Sequence, residues 1–363
     1  MKLNLIFLVL LATMALAVSG CIQEEKMEQN VHPAVKYAKN FQLEYHEGYK
    51  ILRVKQGDEW VTYVLYREEK PDVDGIPIKI PVKRLVVMSS THLAQLEAIN
   101  ATDIVVGFMW GGKYRIYFDD IRKGLESGRI TDVGSSSAPD YEKILALKPD
   151  LVVIYVTPYN EEVKKKLDEL GIPYIVNSEW LETDPLGRAE WVKFFAALTD
   201  KEDAAERYFD RVEKNILEVS KLVEDLEAPK LLWCTIYKGK VYVPKGNSYV
   251  AKMAEYANVN YLFSDIEGTG SATVTLEDLL LKGSDADLMV YSSYRVKTID
   301  DLLNIDTRLS EIKAVKEGNV YRISEDYWQL GLLYTDMVVK DLAAIAHPEK
   351  FPDYTPRFFI KLE

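Results

Sequence analysis

The sequence predicts an α/β fold: two Rossmann-like lobes with mainly parallel sheets, joined by one long α-helix and preceded by an N-terminal β extension. Two series of short apolar runs alternating with helical patterns predict it, because βαβ units cover a parallel sheet on both faces and leave its strands apolar throughout. Between the series, residues 188–226 carry apolar side chains at helical spacing, with Phe209, Val212, Ile216, Val219, Val223 and Leu226 in one stripe. A helix over 201–226 is roughly 40 Å long at about 1.5 Å per residue, the length of a domain. Thr199 followed by Glu202 reads as a capping box at its start.

Taken in chain order, Lys2 and the apolar residues 3–18 are too short for a bilayer span of about 20 residues and, with Ser19 and Gly20, read as a signal peptide over 1–20. Cys21 after that small pair has the form of a lipobox, which predicts cleavage before Cys21, lipid on its thiol and a domain held at the outer face of the cell membrane. Residues 21–40 read as the lipid tether, polar and charged over their first part. Residues 41–54 and 60–66 alternate apolar and polar positions, a pair of strands within a β extension over 41–80. The N-terminal lobe, 81–187, takes strands at 84–88, 104–108, 151–155 and 172–176 and helices at 93–99, 141–147 and 161–170. Linking helices fill 188–228. In the C-terminal lobe, 229–363, strands are expected at 230–237, 287–291 and 320–323 and helices at 249–256, 276–281 and 330–346.

Composition narrows the function. Against 45 basic residues stand 57 acidic ones, a net charge of -12, so a broad grip on phosphate backbones is disfavoured and nucleic acid is a poor partner. With Cys21 lipidated, Cys234 has no disulfide partner, and its neighbours Leu231, Leu232 and Trp233 predict a buried, inert thiol. The chain has no G-x-S-x-G elbow, Walker loop or Cys-x-x-Cys pair, so it reads as a protein that is not an enzyme and needs no cofactor, with an exported hydrolase as the weaker alternative. His32, His46, His92 and His347 are scattered, whereas a zinc or manganese site needs clustered imidazoles or carboxylates. A zinc- or manganese-binding protein is therefore also a weaker reading.

A faint repeat links the lobes. Glu142 opens a short helix that runs through Lys148-Pro149-Asp150 into the apolar residues 151–155, and Glu277 opens another that runs through Asp285-Ala286-Asp287 into 288–291. Either glutamate alone is explained by the helix dipole. With the lipobox, the strand at 83–90, the segment Ile130-Thr131-Asp132-Val133-Gly134 and the long central helix, these units make residues 81–345 resemble the helical-backbone substrate-binding proteins of ABC importers for iron-siderophores, haem and cobalamin. The resemblance implies a ligand captured between two lobes and delivered to a permease and its ATPase. It also implies that Glu142 and Glu277, one on each lobe, dock on arginines of that permease. The extension over 41–80 departs from the shortest members of that family.

Open α/β sheets bind ligands at the carboxyl ends of their strands, and here those loops are rich in aromatic and hydroxyl side chains. The candidate ligand-binding residues are His92, Trp110, Tyr114, Arg115, Tyr155, Trp180, Tyr237, Tyr249, Tyr294 and Trp328. Tyr159 belongs to the same loops, and Arg115 is the candidate to face an anionic group. Each aromatic residue also has a packing reading, and His92 one at the start of a helix. Aromatic walls without a histidine cluster suit a metal coordinated mostly by its own organic ligand, so an iron(III) chelate is expected, with haem or a corrinoid next. One long packed helix between the lobes predicts a small closure on ligand.

Overall fold

The computed structural model describes residues 35–363 apart from 110, 137, 158 and 159. The signal peptide, Cys21 and residues 21–34 of the tether lie outside the described residues, as do Trp110 and Tyr159. No described helix is long and apolar enough to cross a membrane.

The N-terminal sheet runs in the order Phe41–His46, Tyr49–Gln56, Glu59–Tyr66 and Ile76–Lys79. The reading of 41–54 as one strand is corrected: the chain turns at Gly48, whose φ of 82° is open to glycine at little cost. The sequence carries the reason, because paired inward positions pass from Phe41 and Leu43 to Leu52 and Val54, a change of parity that a single strand cannot contain. Buried Lys50 ties this sheet to the linking helices: its ammonium donates to the Ala197 carbonyl at 3.0 Å and pairs with Asp200 at 2.8 Å and with Glu202.

The N-terminal lobe has a five-stranded sheet in the order Tyr174–Val176, Leu151–Ile154, Leu85–Val87, Val105–Phe108 and Thr131–Asp132, parallel throughout. In the C-terminal lobe, Lys230–Tyr237, Leu288–Tyr291 and Val320–Ile323 are parallel neighbours, and the short strand Asn260–Tyr261 also runs parallel to the first of them. Antiparallel strands flank that core: Lys240–Pro244 and then Ser271–Val274 on one side, Phe359–Lys361 on the other. Cys234 lies in the central strand, buried, with its thiol pushed up to about 12 by burial.

The faint repeat has a common structural cause. Asp150 accepts from the backbone N–H groups of Lys83 and Arg84 at 2.8 and 2.9 Å, and Asp287 accepts from that of Lys230 at 2.9 Å. In each lobe, then, a carboxylate just before one buried strand ties down the start of its parallel neighbour.

The linking region comprises Pro185–Glu190, Val192–Thr199 and the long helix Glu202–Val223. The expected capping box is absent: the Thr199 hydroxyl donates back to the Phe195 carbonyl at 2.8 Å, and Asp200, at a φ of 56°, ends its helix before Lys201 starts the next without a side-chain cap. At about 1.5 Å per residue the 22-residue helix is about 33 Å long. Its buried stripe contains Phe209, Val212, Ile216, Val219 and Val223, as the periodicity predicts.

Residues 36–40, read as part of the tether, are fixed to these helices. Glu190, fully buried, accepts from the backbone N–H groups of Lys36, Tyr37 and Ala38 at 2.7, 2.6 and 2.9 Å. Glu182, almost as buried, accepts from those of Lys39 and Asn40 at 2.9 and 3.0 Å and from the Trp191 indole at 2.9 Å. Five consecutive donors are thus satisfied by two carboxylates, which is what allows an irregular segment to be buried.

Candidate functional site

A cavity of about 260 Å³ opens between the lobes. Its N-terminal-lobe wall comes from residues just beyond the carboxyl ends of three parallel strands: Ser89 and Thr91 after Leu85–Val87, Tyr155 and Thr157 after Leu151–Ile154, Glu179 and Trp180 after Tyr174–Val176. Ser89 caps the helix Ser90–Ala98 by accepting from the Thr91 N–H at 3.2 Å, so the helix starts at the wall. Pro185 and Arg188 arrive from the linking helices. The C-terminal lobe contributes Tyr249 and Met253 from one helix, Tyr327 and Trp328 from a second and Thr335 and Val338 from a third.

Arg188 and Glu179 are the charged residues among the described lining. The guanidinium Nε donates to one Glu179 oxygen at 2.7 Å, Nη2 pairs with the same oxygen at 2.7 Å, and the guanidinium carbon stands 4.0 Å from the centre of the Tyr249 ring. Burial works against the Arg188 cation, yet the Glu179 carboxylate, followed by Tyr249, holds its pKa above the ordinary arginine value. Burial first, then the neighbouring Tyr249, raises the Tyr327 phenol well above its usual range. Glu179 is positioned from behind: its N–H donates to Asn177 Oδ1 at 3.1 Å, and Asn177 Nδ2 donates to Gln95 Oε1 at 3.0 Å. The Trp180 indole N–H is buried and has no partner among the described residues.

The cavity therefore brings together four of the sequence candidates, Tyr155, Trp180, Tyr249 and Trp328, the last half-exposed at 52%. His92 is in the core of the N-terminal lobe instead, 6.0 Å from the Phe195 ring, with its pKa pushed down to about 3 by burial, so it is neutral at pH 7. Tyr114 and Arg115 lie on an exposed loop outside the lining, where the Arg115 guanidinium sits 5.0 Å from the centre of the Tyr117 ring. Tyr237 is exposed at the end of its strand, and Tyr294 lies partly exposed beside Arg295, both away from the cavity. Trp110 is outside the described residues. Among the described residues no group of three or more His, Cys, Asp or Glu is placed to hold a metal ion.

The candidates omit Arg188 and Glu179. One signal pointed to Arg188: Pro185-Leu186-Gly187-Arg188-Ala189-Glu190-Trp191 continues into Phe194, Phe195, Ala196 and Ala197, so its charges stand in a run too apolar for a solvated face.

The lobes touch across the cavity mouth, chiefly around Gln329. Gln329 Nε2 donates to the Arg115 carbonyl at 2.8 Å while its Oε1 accepts from the Tyr117 N–H at 3.0 Å, and the Tyr117 hydroxyl donates to Glu325 at 3.1 Å. Away from the mouth, Glu142 is exposed in the first turn of Tyr141–Leu147, and Glu277 is exposed in the first turn of Leu276–Gly283, 3.2 Å from Arg308.

Comparison with known proteins agrees with this architecture. An uncharacterized lipoprotein of Methanocaldococcus jannaschii is 38% identical over 94% of this chain and 92% of its own length. The iron(3+)-hydroxamate-binding protein FhuD of Bacillus subtilis is 22% identical, over 72% of this chain and 79% of its own. The molybdate-bound crystal structure of the periplasmic binding protein MolA of Haemophilus influenzae superposes with a TM-score of 0.61 at 19% identity, covering 75% of this chain and 88% of that one, a likeness of fold. The periplasmic binding protein profile matches residues 85–327, which takes in the strands, the linking helices and the wall from Ser89 to Tyr327, and the chain belongs to that family.

Proposed function

We propose that this chain is the extracytoplasmic substrate-binding lipoprotein of an ABC importer, and that it captures an iron(III) chelate between its lobes and delivers it to a permease and ATPase. The observation that carries this reading is the cavity itself: aromatic and hydroxyl side chains from both lobes converge beyond the carboxyl ends of three parallel strands, with one arginine among them. Stacking and hydrogen bonding are what such a wall offers, and they suffice when the metal brings its own ligands. Family membership and the hydroxamate-binding relative support the same class. At about 260 Å³ the space is below the usual range of roughly 300–1,000 Å³, so a chelate enters by parting the Gln329 contacts at the mouth.

Titration of the purified protein with ferric siderophores, haem and cobalamin, read by tryptophan quenching, is expected to saturate at one equivalent with a ferric chelate. Saturation by haem or cobalamin alone would replace the siderophore-like chelate by a macrocycle. Saturation by bare zinc or manganese, with no response to any chelate, would overturn the ligand class. Glu142 and Glu277 are assigned to permease docking: reversing both to Arg is expected to abolish uptake while ligand affinity stays within about twofold, since exposed acids in a first turn contribute little to the fold. For the anchor, mass spectrometry of membrane-extracted protein should give a chain that begins at Cys21 and carries lipid mass.

A further inference from the structure

We infer that the cavity selects an electroneutral chelate, because the one cation in its wall already carries its own counter-ion. This rests on the chelate reading above and narrows it by charge. Arg188 and Glu179 are the charged residues among the described lining, and the undescribed positions of the body, Trp110, Ser137, Pro158 and Tyr159, bear no formal charge. Among the described residues the wall is therefore neutral. An anionic ligand could take the Nε–Nη2 edge of the guanidinium only by displacing Glu179, and one that took the Nη1 donors would lie beside a cation already neutralised by that carboxylate. That carboxylate has nowhere to go. It is 3% exposed, and the hydrogen bonds of its own N–H to Asn177, and of Asn177 to Gln95, fix its backbone in the lobe. Stranding a buried carboxylate is a penalty of more than a hundredfold in affinity, and an anion left beside the intact pair would give up its hydration for no net charge.

A neutral complex meets no such penalty. A ferric ion held by three bidentate donors of one negative charge each has no net charge, and its polar rim can use the hydroxyls of Thr91, Thr157 and Tyr249 and the unpartnered indole N–H of Trp180. Tris-catecholate, citrate and oxyanion ligands fall on the excluded side.

The test compares ferrichrome and cyanocobalamin, both neutral, with ferric enterobactin, ferric citrate and molybdate, all anionic, by fluorescence titration of the full-length mature protein. Ferrichrome is expected to bind at least a hundredfold more tightly than any of the anions. Glu179→Gln unmasks the cation and should lower the ferrichrome-to-enterobactin ratio at least tenfold, and the double variant Glu179→Gln with Arg188→Met, neutral again, should restore it. Because the double variant removes both charges, its recovery separates charge from damage to the fold. Tighter binding of an anion by the natural protein, or a ratio unmoved by Glu179→Gln, overturns the inference while the chelate reading stands. Cyanocobalamin bound in place of ferrichrome supports the inference and overturns iron as the metal. Binding of none of the five overturns the chelate reading and the inference with it.

Discussion

Arg188 and Glu190 belong to one short helix and are both withdrawn from solvent, yet they serve different ends. Two residues on a helix are separated by about 200° around its axis, so they face opposite sides. Arg188 turns to the cavity, where a single carboxylate and a tyrosine ring meet it. Glu190 turns to the segment 36–40 and is saturated by three backbone donors and the Lys193 ammonium at 2.7 Å. A buried charge whose partners are all backbone and neighbours holds the fold together. One that borders a void with a lone counter-ion is placed for a ligand. The number and kind of partners, more than burial, tell the two apart.

Substitutions at these residues test the contrast. Glu190→Ala is expected to have the largest effect, since it orphans three backbone N–H groups and a buried ammonium: about 3–5 kcal/mol lost in urea unfolding, with a loss below about 1 kcal/mol contradicting the role given to it. Arg188→Met should cost about 3 kcal/mol by stranding Glu179, and adding Glu179→Gln should bring stability back to within about 1 kcal/mol of the natural protein. No such rescue is available to Glu190, three of whose four partners are main chain.

His92 illustrates a third way to bury an ionisable group, which is to leave it neutral. Its pKa is about 3 in the fold and about 6.5 in the unfolded chain, so between those values the unfolded state binds a proton that the folded state does not, and stability falls as pH falls. The loss from this group is about 2 kcal/mol between pH 7 and pH 5. Burial raises the carboxyls of Glu182 and Asp341, which contribute with the opposite sign, so the quantity to measure is the difference in urea midpoint shift between the natural protein and His92→Gln. An equal shift in both would contradict the assignment. The smallest effect is expected at the mouth: Gln329→Ala should speed ligand association severalfold in stopped flow and leave affinity within threefold, because the clasp bonds backbone groups outside the cavity lining.

The sequence was legible where local signals bound an element at both ends. Tyr141–Leu147 and Tyr249–Tyr256 lie between the N-caps Asp140 and Ser248 and a clear stop, and both match the reading residue for residue, as does Val320–Ile323. The last long helix was read from 330 but begins at Thr335, since a separate short helix, Tyr327–Leu330, and a turn at Gly331 carry the same apolar spacing ahead of it. Loop chemistry placed Tyr155, Trp180, Tyr249 and Trp328 near strand ends, but the same rule admitted Tyr237 and Tyr294, because composition cannot say which side of a loop faces the partner lobe. Arg188 escaped since helical periodicity gives the spacing of charges and not the identity of what they meet; Glu179, nine residues earlier, is a neighbour only once the chain has folded back.

The segment 36–40 is anchored by Glu182 and Glu190 to the stretch that joins the lobes, and by Lys36 and Tyr37 to Glu213 on the long helix. Mechanically this puts the point of attachment on the stretch that joins the lobes. A pull on the chain at residue 36 is taken up by two buried carboxylates and a helix about 33 Å long. Drag or tension on the N-terminal side of that point is therefore led, through Glu190, into the same short helix that presents Arg188 to the cavity.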